Sequence, residues 1–190
     1  MKYCSACAHE VEQRIPAGDN RVRHCCPSCG TIHYQNPRMV LGTIPTWEGR
    51  ILLCRRAIEP RYGYWTLPAG FMENDESTGE GAARETVEEA GARITLGEPF
   101  SILDVPHVQQ VHMFFHAPML GPELDPGPES LEAKLFDEAD IPWNAIAFRT
   151  VAQTLKWFFE DRRNGSFSLH TGTIHYGQRA PAESATETRP

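Results

Sequence analysis

The strongest constraint in this sequence is the stretch from residue 70 to residue 92, GFMENDESTGEGAARETVEEAGA, where acidic side chains recur at fixed spacings. If residues 77–90 form a helix, Glu85, Glu88 and Glu89 fall within roughly a 100° arc of its surface. Small and apolar side chains occupy the other side of the same helix, namely Ala82, Ala83, Thr86, Val87 and Ala90. The pattern therefore predicts an amphipathic helix with a concentrated acidic face.

The acidic face indicates a bound cation. Carboxylates one turn apart repel each other and weaken a helix by roughly a few tenths of a kcal/mol per pair. A cation between them reverses the sign of this effect. Oxygen ligands without Cys or His suit Mg²⁺ or Mn²⁺, which keep water molecules that a phosphate group can displace. The cluster therefore predicts divalent-metal chemistry on a phosphate compound, and a solvated acidic helix is the alternative.

The same stretch resembles the Nudix box, G-x5-E-x7-R-E-U-x-E-E-x-G-U, in which U is an aliphatic residue. The matching residues are Gly70, Glu76, Arg84, Glu85, Glu88, Glu89, Gly91 and Ala92, and Thr86 stands in place of the first aliphatic residue. The resemblance implies a loop–helix–loop that binds divalent metal ions and hydrolyses a nucleoside diphosphate linked to another group.

The resemblance also assigns roles within the box. It implies an ion pair between Arg84 and Glu76 that holds the loop against the helix. It implies that Mg²⁺ or Mn²⁺ is bound by Glu85, Glu88 and Glu89, of which Glu85 and Glu89 are the safest ligands. The backbone carbonyl of Ala69 or Gly70 is a further ligand candidate, because the chain passes from a strand into the box at this point.

Length and charge exclude several other classes of protein. A chain of 190 residues with 41% hydrophobic residues can form one catalytic domain and a small appendage. Its formal net charge of −7 supplies no basic field, so we expect neither general nucleic-acid binding nor membrane-surface binding. The sequence contains no apolar run of about 18 residues and no signal-like start. We therefore expect a soluble, cytoplasmic protein.

Four of the six cysteines form two C-x2-C pairs, Cys4 with Cys7 and Cys26 with Cys29. Paired motifs of this kind predict a tetrahedral Zn²⁺ site. Four thiolates fill the coordination sphere and leave no position for water, so we expect a structural role for this zinc. Disulfides are the alternative, which a reducing compartment disfavours. Cys54 lies in an apolar run, and we expect it in the core.

The order of segments predicts the domain organisation and the fold class. The polar, turn-prone segment TIHYQNP at residues 31–37 indicates a boundary. We expect a zinc ribbon at residues 1–36, a catalytic domain at residues 37–178 and a disordered tail at residues 179–190. Strand-like runs fill the middle of the second domain, including a hairpin with its turn at Glu48 and Gly49, and residues 143–162 are predicted to form a long helix. This order favours an α/β protein, an α/β/α sandwich with a mixed sheet, as the Nudix resemblance also implies.

A further carboxylate outside the box is implied by the resemblance. The segment GPESLEAKLF resembles the E-x2-E-A-x-W/L-F stretch of zinc-ribbon Nudix enzymes, in which the second Glu contributes to metal binding. We therefore predict Glu132 as a metal ligand or base, with Glu129 as the second candidate. Solvated loop acids are the alternative for both residues.

Several residues suit an adenine dinucleotide. Tyr34 and Trp65 can stack on a flat ring, although aromatic residues at this density are more often part of a core. Arg56 can reach a phosphate, and Arg56 and Gln110 are placed near the pocket by analogy alone. The histidines of the middle region are interpreted as strand and loop residues, namely His107, His112 and His116.

The substrate is predicted from resemblance within the family. The zinc ribbon followed by a Nudix box resembles NADH pyrophosphatases, but their S-Q-P-W-P-F-P motif is absent from SILDVPHVQQVHMFF. YQNPRMVLG, LLCRRAIEPRYGYWTLPAGF, PGPESLE and DEADIPWNAIAF instead look like the plant FAD and ADP-ribose pyrophosphatase branch and its bacterial relatives. The expected reaction is Mg²⁺-dependent hydrolysis of FAD or ADP-ribose with release of AMP. NADH or a capped RNA end is the alternative substrate, and a homodimer is possible because the family often dimerises.

Two functions from other classes are also considered. A regulator with this fold could sense a nucleotide without hydrolysing it, but such proteins usually lose box carboxylates, and all are present here. A zinc-ribbon adaptor could bind nucleic acid or protein, but the residues between the cysteine pairs are nearly neutral in charge, which argues against nucleic acid. The sequence therefore favours a hydrolase.

Overall fold

The computed structural model describes residues 1–175, which form two compact units, the first ending at Pro37 and the second beginning at Arg38. The sequence placed this boundary between residues 36 and 37. The tail expected at residues 179–190 and the last three residues of the expected catalytic domain lie outside the described residues. Within residues 1–175, no helix is both long enough and apolar enough to cross a membrane.

The first unit is a small antiparallel sheet with very little apolar core. Its strands are β1 (Glu12–Arg14), β2 (Arg23–Cys25) and β3 (Ile32–His33), in the order β1-β2-β3. The buried apolar side chains of this unit are Cys4, Pro16, Cys25 and Cys26. So few buried groups cannot offset the conformational entropy of folding, and a unit of this size needs cross-links or a metal ion.

The second unit is built on a mixed sheet with the strand order β10-β5-β4-β9-β8-β11, with β6 paired to β5 and β7 paired to β4. Strand β9 runs parallel to β4, and β11 runs parallel to β8, while the other pairs are antiparallel. The elements in chain order are β4 (Arg38–Trp47), β5 (Arg50–Arg56), β6 (Trp65–Thr66), β7 (Ala69–Phe71), α1 (Thr78–Ala90), β8 (Pro99–Val105), β9 (Gln110–Pro118), β10 (Ser130–Phe136), α2 (Arg149–Asn164) and β11 (His170–Thr173). Short 3₁₀ turns occupy Pro106–Val108, Glu138–Asp140 and Trp143–Ala145.

The two helices cover opposite faces of this sheet. Along β5, Ile51 and Leu53 belong to the apolar cluster that contains α2 residues such as Leu155. Leu52 and Cys54 alternate with them and pack in a second cluster, with the end of α1. Because successive side chains of a strand point to opposite faces, both faces of the central strands are buried. The predicted α/β/α sandwich with a mixed sheet is confirmed, and Cys54 is a core residue as expected.

Helix α1 is closed at both ends by hydrogen bonds that its sequence encodes. The Ser77 hydroxyl accepts from the Glu80 backbone N–H at 3.3 Å, and the Glu80 carboxylate accepts from the Ser77 N–H at 2.8 Å. This reciprocal pair is a capping box. At the other end Gly91 has a φ of 63°, a left-handed conformation that glycine adopts without steric cost. The acidic helix is thus confirmed over nearly the whole predicted range.

Helix α2 begins later than the sequence indicated. Residues 143–162 were predicted to be helical, but α2 starts at Arg149. The preceding residues are drawn into the edge of the sheet, because the Ala147 N–H donates to the Trp65 carbonyl at 2.8 Å and Ile146 forms a bridge with Trp65. Tertiary hydrogen bonds therefore override the local helical pattern here. The hairpin at Glu48 and Gly49 is confirmed, and both residues have positive φ angles.

We expect Ser77→Ala to destabilise the second unit by about 1 kcal/mol, because the capping hydroxyl of α1 is lost. Urea unfolding followed by tryptophan fluorescence measures this unit specifically, since all four tryptophans lie in it. Ser166→Ala is the matched control, because Ser166 is exposed and lies just after α2. Equal midpoints for the two variants would contradict the assigned cap.

Candidate functional sites

The loop between β7 and α1 is held against the helix by Arg84. Its Nε donates to Glu76 Oε2 at 2.9 Å and its Nη2 donates to Glu76 Oε1 at 2.8 Å, a two-point ion pair. Nη2 also donates to the Phe71 carbonyl at 3.1 Å, and the Glu73 N–H donates to Glu76 at 2.7 Å. The Arg84 guanidinium lowers the pKa of Glu76 to about 2. The loop therefore keeps one conformation, and the ion pair that the resemblance implied is present.

The same guanidinium also contacts the acidic face of α1. Arg84 Nη1 donates to Glu85 Oε1 at 2.7 Å and to Glu88 Oε2 at 3.0 Å. The Glu85 side chain is largely buried while that of Glu88 is exposed. One cation thus lies among three carboxylates and offsets part of the repulsion that their spacing creates. Burial is the largest effect on Glu85 and raises its pKa despite the contact with Arg84.

Gly70, the first residue of the box, provides the space for Glu85. A Cβ atom at residue 70 would collide with the carboxyl carbon and both carboxylate oxygens of Glu85. The backbone of β7 therefore forms a floor against which this carboxylate rests. The glycine is required by close approach and not by an unusual φ angle.

Glu89 is the most buried carboxylate of the box, with 6% of its surface exposed. The Ala69 N–H donates to Glu89 Oε2 at 3.2 Å. Burial raises the pKa of Glu89 to about 8, and the negative charges of Glu85 and Glu129 act in the same direction. A carboxylate that is ionised here lacks most of its hydration and gains from a nearby positive charge.

The box carboxylates open into a cleft of about 990 Å³ within the second unit. Glu85, Glu88 and Glu89 line it, and so does Glu129, which precedes β10. Glu132 is an exposed residue of β10, lies opposite Arg55, and is not among the residues that line the cleft. A register shift between Ser130 and Glu132 changes which side chains of this segment face α1.

Two of the predicted substrate contacts, Arg56 and Gln110, line the cleft. Arg56 is buried, its Nε donates to the Pro60 carbonyl at 2.9 Å, and its guanidinium lies 5.0 Å from the centre of the Phe148 ring. Its charge lowers the pKa of Glu89 against the larger effect of burial. Arg56 therefore brings a buried positive charge to the carboxylates.

The two predicted aromatic contacts are placed differently. The Trp65 ring meets the Phe136 ring edge-on at 4.9 Å and packs against the apolar core. Trp65 is not among the cleft-lining residues. Tyr34 belongs to the first unit, where it is exposed and lies 5.1 Å from the Arg23 guanidinium. The aromatic residue that does line the cleft beside Arg56 is Phe148, which the sequence analysis did not select.

Sequence reasoning also missed polar residues of the cleft. His112 and Thr150 line it, and they form a hydrogen bond of 3.0 Å between His112 Nδ1 and Thr150 Oγ1. His112 was interpreted only as a strand residue. The available signal was its two-residue spacing from Gln110 on β9, which puts both side chains on one face of the sheet.

In the first unit, the four paired cysteines converge. The Sγ atoms of Cys4 and Cys29 lie 3.7 Å apart, those of Cys7 and Cys26 lie 3.5 Å apart, and all four lie within 4.8 Å of one another. A tetrahedron with Zn–S bonds of about 2.3 Å has S–S edges of about 3.8 Å. The four sulfurs therefore fit zinc geometry. Cys25 is buried beside them, but its Sγ faces the Arg14 and Arg23 carbonyls.

Within residues 1–175, these cysteines are the one group of three or more Cys, His, Asp or Glu ligand atoms gathered so closely. The box carboxylates are spaced more widely around Arg84. The two candidate metal sites thus differ in kind. The cysteines already have the spacing of a closed coordination sphere, whereas the carboxylates border an open cleft.

Comparisons with known proteins match a family profile to each of the two units. The NUDIX domain family profile matches residues 37–158, and the Nudix N-terminal profile, a zinc ribbon, matches residues 2–35. Among solved structures, the chain resembles a NUDIX hydrolase from Nitrosomonas europaea, with 53% identity and a TM-score of 0.89 over 92% of this chain and 99% of that chain.

Two curated relatives carry more specific names. The NAD-capped RNA hydrolase NudC from Stutzerimonas stutzeri is 31% identical over 86% of this chain, which spans only 58% of that relative. An ADP-ribose pyrophosphatase from Methanocaldococcus jannaschii is 31% identical over 65% of this chain and 76% of the relative. The chain thus spans little more than half the length of the NudC relative.

We expect the purified protein to contain one zinc ion per chain, and Cys26→Ser to lose it and unfold the first unit, because metal binding is coupled to folding there. Elemental analysis measures the zinc. Cys25→Ser is the matched control, since Cys25 is adjacent and buried but lies outside the cluster, and it should retain the metal. Protein prepared without chelator that contains no zinc would refute the prediction.

We expect burial of the Glu89 carboxylate to cost the second unit stability as pH rises in the absence of metal. The folded pKa of about 8 lies above the ordinary value of 4.5, so the folded state binds more protons at this group than the unfolded state between these values. The contribution of Glu89 should therefore fall across this range, by ~1.4 kcal/mol for each pKa unit at most. Burial of His112 lowers its pKa and acts in the opposite direction below about pH 6.5, so the Glu89 effect is measured as a difference from a variant. Thermal unfolding in EDTA at pH 5 and pH 8, followed by tryptophan fluorescence of the second unit, provides this measurement.

Glu89→Gln removes the titrating group while keeping the side chain's shape. In EDTA this variant should be more stable than the wild type at pH 8, and the difference should shrink toward pH 5. Mn²⁺ should raise the melting temperature of the wild type more than that of the variant. A variant that is less stable than the wild type at pH 8 in EDTA would contradict the cost assigned to this buried charge.

Proposed function

The chain belongs to the NUDIX domain family, and we propose that it hydrolyses the pyrophosphate bond of a nucleoside diphosphate linked to a second group. The observation that carries this proposal is the convergence of three box carboxylates, Glu85, Glu88 and Glu89, and a buried arginine, Arg56, on one cleft. A cleft with both anionic metal ligands and a fixed cation suits a metal-bound diphosphate.

The carboxylates fit Mg²⁺ or Mn²⁺ by their chemistry and their burial. Glu89 is almost completely buried with one N–H donor at 3.2 Å, so its ionised form gains strongly from a cation. Glu85 rests in the space left by Gly70. We propose Glu85, Glu88 and Glu89 as ligands, with the carbonyl of Ala69 or Gly70 as a further one. When bound, such ions neutralise charge on phosphate oxygens and lower the pKa of the attacking water.

Arg56 and Arg84 have different roles in this proposal. Arg84 uses all three of its guanidinium nitrogens on Glu76, Glu85, Glu88 and the Phe71 carbonyl. Arg84 therefore positions the ligands. Arg56 binds the Pro60 carbonyl through Nε, and its charge reaches Glu89. We assign Arg56 to a phosphate oxygen, because a guanidinium stays charged even when it is buried.

Glu129 is the better candidate for the carboxylate outside the box. It lines the cleft, and its charge raises the pKa of both Glu85 and Glu89. Glu132 is exposed on β10 opposite Arg55. We therefore reverse the order predicted from the sequence and propose Glu129 as the additional metal ligand or base, with Glu132 outside the reaction.

FAD and ADP-ribose are the substrates we favour. The cleft of about 990 Å³ is at the upper end of the usual range for small-molecule sites, about 300–1,000 Å³, and suits a dinucleotide-sized ligand. The similarity to an ADP-ribose pyrophosphatase extends over 131 residues, 65% of this chain. The NADH-type motif is absent from the sequence. AMP is the expected product of either substrate.

An NAD-linked substrate is the second candidate, because the similarity to NudC extends over 86% of this chain. A net charge of −7 offers little attraction to a long RNA, so a free dinucleotide fits better than a capped transcript.

The Cys4, Cys7, Cys26 and Cys29 cluster is assigned to structural Zn²⁺, since four sulfurs leave no open position for catalysis.

We expect AMP from FAD or ADP-ribose in the presence of Mg²⁺ or Mn²⁺, and in ¹⁸O-labelled water we expect the label in a product phosphate, because water attacks phosphorus. Chromatography and mass spectrometry of reactions with FAD, ADP-ribose, NADH and NAD-capped RNA measure both outcomes. Inorganic phosphate released directly from the dinucleotide, or no label in any phosphate, would contradict the mechanism.

The companion variant is Glu89→Gln, which should reduce the rate by at least about 10²-fold if this ligand contributes roughly 3 kcal/mol to transition-state stabilisation. Glu160→Gln is the matched control, because Glu160 is an exposed residue of α2. It should keep wild-type turnover. Near wild-type turnover of the Glu89 variant at saturating Mg²⁺ would overturn the ligand assignment.

A further inference from the structure

Three polar side chains, Gln110, His112 and Thr150, are hydrogen-bonded in a row along one wall of the cleft. Gln110 and His112 lie at alternate positions of β9, as does Phe114. All three of these β9 residues line the cleft, so they share one face of the sheet. His112 Nε2 lies 2.9 Å from Gln110 Oε1, and His112 Nδ1 lies 3.0 Å from Thr150 Oγ1. Each nitrogen of the imidazole ring therefore has one partner.

The charge state of His112 follows from its burial, because only 9% of its surface is exposed. Burial lowers its pKa to about 4, so the ring is neutral at physiological pH and has one donor and one acceptor nitrogen. In the observed orientation Gln110 Oε1 faces the ring, and with this orientation Nε2–H donates to that oxygen. Nδ1 then accepts from the Thr150 hydroxyl. Both hydrogen bonds are satisfied, and the Gln110 oxygen is occupied by the ring, which leaves its amide N–H groups for a ligand.

The opposite arrangement would present a different group to the ligand. If Nδ1–H donated to Thr150, Nε2 would become an acceptor, and Gln110 would have to turn its amide nitrogen toward the ring. The amide oxygen would then face the cleft. The tautomer of His112 and the orientation of Gln110 are thus linked. Gln110 presents either its amide N–H groups or its amide oxygen to the cleft.

The position of these three side chains relative to the box carboxylates indicates which part of a substrate they contact. Val40 on β4 pairs with Phe71 of β7 on one side and with His112 of β9 on the other. Two strand spacings place His112 about 10 Å from the backbone of β7, which carries the box glycine. Gln110 lies between Val105 of β8 and Arg38 of β4, and Phe148 lines the same cleft two residues before Thr150. A ring separated from the diphosphate by a sugar would reach this part of the cleft.

We propose that Gln110 is a specificity-determining residue whose amide N–H groups, oriented by His112 and Thr150, donate to an acceptor atom on the edge of the substrate's ring. This inference rests on the proposed function, since it assigns the part of the same cleft that receives the ring. His112 and Thr150 act through Gln110 and are positioning residues. A site built to hydrogen-bond one group discriminates against compounds that lack it, because its polar atoms are then left unpaired.

The tautomer is tested independently of catalysis by ¹⁵N NMR of the imidazole, with the His112 signals identified by their loss in His112→Gln. The expected result is a neutral ring protonated at Nε2 and unchanged between pH 5.5 and pH 8. A ring protonated at Nδ1 would overturn the inference, because Gln110 would then present its oxygen.

The contact with substrate is tested by a double-mutant cycle with Gln110→Leu and Thr150→Val. Each single variant should raise the KM for the best substrate by about two- to tenfold, the effect of one hydrogen bond, with kcat nearly unchanged. If Thr150 acts through Gln110, the double variant should resemble Gln110→Leu alone. Additive effects, or a fall in kcat at constant KM, would overturn the proposal.

Thr154→Val is the matched control for a buried hydroxyl on the same helix. Thr154 is fully buried, its hydroxyl lies 2.8 Å from the Ser101 hydroxyl, and it does not line the cleft. This variant should lose stability and keep the wild-type KM. A KM change equal to that of Thr150→Val would show that the effect is merely structural.

Failure of the proposed function gives a different pattern. If the wild type hydrolyses none of the substrates, the inference is decided by adding ADP-ribose, FAD or NADH to the zinc-bound protein without added Mg²⁺ or Mn²⁺ and following the Gln110 side-chain amide signals. A specific shift of these signals supports the contact even without hydrolysis. The absence of a shift with all three ligands, like an Nδ1-protonated His112, overturns it.

Discussion

The ion-pair network of Arg84 is the interaction on which the candidate active site depends. One guanidinium binds Glu76 at two points and also contacts Glu85 and Glu88. It therefore does two things at once, since it holds the β7–α1 loop in place and offsets the repulsion along the acidic face. A lysine carries the same charge but lacks the planar fork, so it could not make this set of contacts.

Burial of Glu89 is the complementary constraint. Arg84 offsets repulsion at the mouth of the site, whereas Glu89 lies deeper, with the Ala69 N–H as a donor and the charge of Arg56 nearby. A carboxylate in this environment is expensive to ionise. This cost would be the physical basis for the proposed metal affinity, because a divalent cation recovers the electrostatic energy that dehydration removes. Stability is thus given up at the position where the proposed chemistry needs charge.

The two units of the protein are stabilised by different means. The second unit buries both faces of its central strands under α1 and α2. The first unit buries hardly any apolar side chains other than cysteines. Its four converging sulfurs fit a zinc ion, so the metal would replace the missing hydrophobic core. The four cysteines, which stabilise a small unit, therefore form a closed coordination sphere. The box carboxylates, which lie in a unit that has its own core, border an open cleft.

The sequence by itself determined the acidic helix and the hairpin, because helical and strand periodicity act within a few residues. It also determined the convergence of the cysteine pairs, through their two C-x2-C motifs, and the α/β class with a mixed sheet, through the order of its segments. Only the tertiary structure decided the features that depend on cross-strand register. The cleft contains Glu129 and not Glu132, on which our proposal for the additional carboxylate rests. Hydrogen bonds to Trp65 place the start of α2 later than the local pattern indicates, and the contact of His112 with Thr150 joins segments far apart in sequence. Such neighbours are set by the packing of the whole sheet, which no local pattern contains.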